Sequence, residues 1–115
     1  MLSRKGLNMS DEFKISLAQL NATVGDLSGN TQKVMEAWEI ARDQRSDLIA
    51  FPELFITGYN PQDLILKTAF QKAATSSIDQ IAKACAQGPA IAIGGPFYDE
   101  NKLYNSYYIL ADGKI

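Results

Sequence analysis

Glu53 is the only charged side chain in LIAFPELFITGY, residues 48–59. It follows an apolar run closed by Pro52, and Leu54, Phe55 and Ile56 come directly after it. Apolar neighbours strip water from a carboxylate, and a carboxylate in such a place suits general-base work. The same pattern fits a solvated loop carboxylate that helps to end a strand, so residue chemistry by itself leaves both readings open. Cys85 is the only cysteine, and there is no histidine. It falls on the apolar stripe of a helix-patterned segment with no activating partner, which makes it a small buried hydrophobe rather than a nucleophile. Without histidine, Ser-His and Cys-His arrangements are excluded within the chain. One cysteine and no histidine cannot build a zinc site, so no metal is expected here.

Other candidates have structural explanations. Gly94-Gly95-Pro96 is no phosphate loop, because no helix follows it. Tyr98, Tyr104, Tyr107 and Tyr108 read as strand aromatics that pack across their neighbours, not as a platform for stacking bases. Trp38 is core. Asn105 is open between a bond to backbone near the Glu53 loop and a structural role beside a turn.

The elements that must position Glu53 can be read in order. FKISLAQL alternates Phe13, Ile15 and Leu17 with Lys14 and Ser16, the periodicity of a strand. NATVGDLSGN is a loop, after which Asn30 can cap a helix running to about Arg45 with Val34, Ala37, Trp38 and Ala41 on one face. DLIAF has no alternation, as in a parallel strand covered on both faces, and Pro52 ends it. A second helix is expected over about 68–87. Its buried stripe is Phe70, Ala74, Ile78, Ile81, Ala82 and Cys85, and Gly88-Pro89 stops it. AIAIGGPF is a buried strand whose Gly-Gly-Pro should force a bend or bulge. YDENK turns into the strand LYNSYYIL, which ends at the turn ADGK. The order is β-α-β-α-β-β, an α/β class with right-handed crossovers expected between the first three strands. In such sheets ligands bind beyond the carboxyl ends of parallel strands, and Glu53 lies just past one of them.

The 115 residues are 46% apolar and 21% charged, enough for a globular core and unlike a disordered chain. A net charge of −2 with scattered Lys and Arg offers no basic stripe for nucleic acid. No apolar run approaches the roughly 20 residues that span a bilayer. Residues 1–12, MLSRKGLNMSDE, carry positive charge without an apolar segment after it, and are expected to be a disordered lead rather than a secretory signal. With a single free cysteine this points to the cytoplasm.

AQLNATVGDLSGN, FPELFITGY and GGPFYDENKLYNSYYILADGKI together resemble the nitrilase, or carbon-nitrogen hydrolase, superfamily. The wording of TVGDLSGN and TGYNPQDLIL is closer still to the amino-terminal glutaminase domain of glutamine-dependent NAD synthetases. The resemblance covers residues 13–115 and implies an α-β-β-α sandwich with a Glu-Lys-Cys catalytic set. By position Glu53 matches the general base, and Tyr59 matches a tyrosine lining the site that binds glutamine. The family lysine and cysteine lie beyond the DGKI turn. Neither Lys114 nor Cys85 takes their place, so residues 13–115 are expected to be the first portion of such a domain, inactive alone. The resemblance further implies glutamine as substrate, ATP and Mg²⁺ in a separate synthetase domain of the same enzyme, and association into a homo-oligomer. A stand-alone amidase, ω-amidase or carbamoylase of the superfamily is an alternative, as is a non-catalytic α/β interaction module.

Overall fold

The computed structural model describes residues 12–115, so the lead expected over 1–12 falls almost wholly outside the described residues. The elements are β1 (Ile15–Leu17), α1 (Leu27–Asp43), β2 (Leu48–Ala50), a short 3₁₀ helix (Gln62–Leu66), α2 (Thr68–Ala84), β3 (Ala90–Asp99) and β4 (Lys102–Leu110). Apart from the 3₁₀ helix this is the β-α-β-α-β-β order that periodicity dictates. The four strands form one sheet in the order β1-β2-β3-β4. The first two pairings are parallel and the third is antiparallel.

The cap of α1 is Asp26, whose Oδ1 accepts the Gly29 N–H at 2.9 Å. Asn30, expected as the cap, lies a turn further in and is fully buried. Its Oδ1 accepts the Thr23 N–H at 2.8 Å, and its Nδ2 donates to the carbonyls of Thr23 (2.8 Å) and Ile56 (3.0 Å). Asp and Asn cap equally well, but only an amide can donate and accept at once. The aspartate therefore closes the helix, while the amide ties the loop before α1 to the loop after Glu53. Val34, Trp38 and Ala41 form the buried stripe of α1, and Trp38 Nε1 donates to the Pro89 carbonyl at 2.9 Å. In α2, Ala74, Ile78, Ile81 and Ala82 are buried, and the helix ends at Ala84 with Cys85 as its cap, short of Gly88-Pro89.

β3 runs through Gly94-Gly95-Pro96 without the expected bend. These residues pair in unbroken register with Tyr107, Ser106 and Asn105. Even-numbered residues of β3 turn their backbone groups toward β2: the Ala92 carbonyl accepts the Phe51 N–H at 2.8 Å and the Gly94 carbonyl accepts the Ile56 N–H at 3.3 Å. β2 has ended before Pro96 is reached, so the proline lacks an N–H where no strand needs one. A two-residue turn with Glu100 and Asn101 at φ 47° and 65° then joins β3 to β4.

One sheet face is covered and the other is open. Ile49, Ile91 and Leu110 are register partners on the face that α1 and α2 bury, in a core shared with Val34, Trp38, Ile78 and Ile81. Ile15, Leu17 and Ile109 project from the opposite face and are at least half exposed. The expectation that β2 is covered on both faces is therefore corrected. Ile49 is buried against the helices, whereas Leu48 and Ala50 on the open side are only partly covered. The described residues supply one helical layer and one sheet, and they leave open the face that a second sheet of an α-β-β-α sandwich would cover.

Candidate active site

β2 ends with the Phe51 N–H on Ala92, and the chain then folds back through a series of tight turns. The N–H of Phe55 bonds the Pro52 carbonyl at 3.2 Å, that of Thr57 the Leu54 carbonyl at 3.1 Å, and that of Gly58 the Phe55 carbonyl at 3.2 Å. Leu54 takes a left-handed backbone, φ 52°, which costs an L-residue about 1–3 kcal/mol and persists only where packing imposes it. Packing does so here, because Leu54, Phe55 and Ile56 are all buried. A Cβ at Gly94 would overlap the Leu54 nitrogen and come 2.9 Å from the Glu53 carbonyl carbon. The loop thus lies directly against β3, which needs a residue without a side chain at that point.

This geometry corrects the expected desolvation of Glu53. The three apolar residues after it are buried, Phe55 and Ile56 within the core, while Glu53 itself is exposed. β4 gives it a partner. Asn105 Nδ2 donates to Glu53 Oε2 at 2.6 Å, across 52 residues of chain. Two residues on along the same strand face, the Tyr107 hydroxyl donates to the Phe51 carbonyl at 2.7 Å. Burial pushes the hydroxyls of Tyr107 and Tyr108 above the ordinary tyrosine value, which keeps both protonated as donors. Phe51, Glu53, Asn105, Ser106 and Tyr107 line an open cleft of about 340 Å³ on the uncovered side of the sheet.

The other expected site residue is apart from this cleft. Tyr59 is 68% exposed and is not among the residues lining it. Cys85 is buried in the helical layer beside α2, and Lys114 sits in the terminal turn, its N–H on the Ala111 carbonyl at 2.9 Å. Among the described residues no group of His, Cys, Asp or Glu could hold a metal ion. A larger hollow of about 510 Å³ lies between α2 and Tyr98; its carboxylate, Asp79, is bonded to Lys83 one turn along the same helix, at 2.9 Å. The sequence left Asn105 open to a bond with backbone near the Glu53 loop; its partner is the Glu53 carboxylate itself, and a signal for that exists. A two-residue turn at 100–101 sets Asp99 against Lys102, and counting back places Asn105 opposite Pro96, beside the end of β2.

A carboxylate held by an amide at the carboxyl end of a parallel strand, in an open cleft, can accept a proton from a group brought in above it. The sequence profile described as "Carbon-nitrogen hydrolase" matches residues 14–115. The chain belongs to the carbon-nitrogen hydrolase family. A glutamine-dependent NAD(+) synthetase of Rhodobacter capsulatus is 48% identical over 107 residues, covering 93% of this chain and 19% of that one. The structure of glutamine-dependent NAD+ synthetase from Acinetobacter baumannii, in complex with adenosine diphosphate, superimposes with a TM-score of 0.83 at 33% identity. That match covers 90% of this chain and 19% of the other. A variant amidase from Nesterenkonia sp. AN1, with acrylamide added at its active-site cysteine, shares the fold at a TM-score of 0.75 and 22% identity, over 90% of this chain and 41% of its own. This carbon-nitrogen hydrolase chain spans about a fifth of the length of the curated relatives it matches. None of its helices is long and apolar enough to cross a membrane, among the described residues.

Proposed function

We propose that the chain is the first portion of the glutaminase domain of a glutamine-dependent NAD synthetase, with Glu53 as its general base. The observation that carries the role of Glu53 is its place at the end of β2, exposed to the cleft and bonded through Oε2 to Asn105. The 48% identity to a synthetase supports the substrate. In the reaction, the second carboxylate oxygen takes the proton of a cysteine thiol supplied by the rest of the enzyme. The sulfur attacks the γ-amide carbon of glutamine, and a lysine beside it stabilises the oxyanion. The proton passes from Glu53 to the amide nitrogen, the C–N bond breaks, ammonia leaves and a thioester remains. Water, losing a proton to Glu53, then releases glutamate and restores the thiol. The ammonia is carried to a separate domain that amidates deamido-NAD with ATP and Mg²⁺. The whole enzyme works in the cytoplasm as a homo-oligomer.

Supplying the whole enzyme with glutamine labelled with ¹⁵N in its amide, together with deamido-NAD and ATP, tests this. The label is expected in the carboxamide of NAD. Release of all the label as free ammonium, with none in NAD, would instead identify a stand-alone amidase of the same family.

A further inference from the structure

We infer that Asn105 is a positioning residue for Glu53, fixing which carboxylate oxygen receives the proton; this rests on the glutaminase reading given above. Glu53 stands exposed on a turn whose next three residues, Leu54, Phe55 and Ile56, are buried. A glutamate in that setting samples several rotamers, and a base that wanders loses the alignment on which proton transfer depends. The restraint comes from β4. An ionised carboxylate only accepts hydrogen bonds, so the atom of Asn105 facing Oε2 at 2.6 Å is its Nδ2 donor. With Oε2 engaged, Oε1 is the oxygen left to take a proton.

The asparagine is itself held in register. It lies opposite Pro96 in an uninterrupted antiparallel ladder. Its strand also grips the loop a second time, through the Tyr107 hydroxyl on the Phe51 carbonyl at 2.7 Å. Residues 105 and 107 share a strand face, and they hold residues 53 and 51, which are likewise two apart. Rigid strand β4 thereby fixes both the turn and the carboxylate that the turn carries.

The test uses the whole enzyme carrying Asn105→Ala, Asn105→Asp or Glu53→Gln, measured side by side. For Asn105→Ala, kcat for glutamine hydrolysis should fall about 10²-fold, the scale of a displaced reacting group, with KM for glutamine close to the parent's. Asn105→Asp keeps the size of the side chain but sets a second carboxylate against Glu53, and should be slower still at neutral pH. Melting temperatures of both variants should match the parent. Parental glutamine turnover in either folded Asn105 variant, with turnover lost in Glu53→Gln, overturns the inference and leaves the glutaminase reading standing. Parental turnover in Glu53→Gln overturns the base role proposed for Glu53, and the inference with it, while the turnover of glutamine itself stands. A lowered melting temperature and a rise in KM in both Asn105 variants would make Asn105 a structural residue and overturn the inference.

Discussion

Glu53 and Cys85 are the two side chains whose types invite a catalytic role, and burial separates them. Glu53 is exposed in the cleft, whereas Cys85 is 7% exposed among Trp38, Ile81 and Leu110. Burial pushes its thiol up to about 11, Glu39 adds to the rise, and Arg42 opposes it. At pH 8 the folded chain should therefore react with iodoacetamide about 10²-fold more slowly than the chain in denaturant, following the thiolate fraction. Equal rates in the two states would show an accessible, ionisable thiol. The sign of the linkage follows from the same shift. A thiol whose folded value is raised contributes stability that is present below its unfolded value, near 9, and lost as pH climbs to about 11. Cys85→Ala should remove that slope, on the order of 2 kcal/mol across the interval, and an unchanged slope would contradict the burial of the thiol.

At the scale of elements, Gly94 couples the sheet to the Glu53 loop. A methyl group there would strike the backbone of Leu54 and Glu53, which cannot yield as a flexible side chain can. Gly94→Ala should leave the ladder between β3 and β4 intact, displace the loop, and lower glutamine turnover by the whole enzyme about 10²-fold or more. Parental turnover would mean that the loop position does not matter. This contact also marks how far the sequence could be read. Apolar periodicity sufficed for the β-α-β-α-β-β order and for the stripes of α1 and α2, because each depends on neighbours three, four or two residues away. Choices settled by distant contacts were not legible. Asp26 and Asn30 are alike as caps until the Ile56 carbonyl, 26 residues on, claims the amide of Asn30. Gly94-Gly95-Pro96 reads as a bend until the early end of β2 removes the need for a proline N–H. The position of Glu53 was legible, but its partner Asn105 depended on the register of a hairpin, and the inward turn of residues 54–56 on a left-handed Leu54.

Over the described residues the molecule is a sheet with its helices on one face. Ile15, Leu17 and Ile109 stay exposed on the other, with Phe13 just ahead of β1. Large apolar side chains left exposed on a sheet face favour association in water. The 115-residue chain should accordingly show a mass above that of a monomer by light scattering, rising with concentration, and a compact monomer at high concentration would contradict this. On the proposed reading Glu53 takes its proton from groups outside the described residues, so the 115-residue chain taken alone should not turn over glutamine. The most direct test of its role is Glu53→Gln in the whole enzyme, with NAD formation measured from glutamine and from added ammonia. The substitution keeps the shape and removes the proton acceptor, at a cost of about 10²–10⁴-fold, or roughly 3–5 kcal/mol of barrier. Ammonia enters after the step that needs the base. Loss of the glutamine-driven rate with the ammonia-driven rate preserved is the predicted result. Equal loss of both would make Glu53 a structural residue, and retention of both would leave it a solvated carboxylate at the end of a strand.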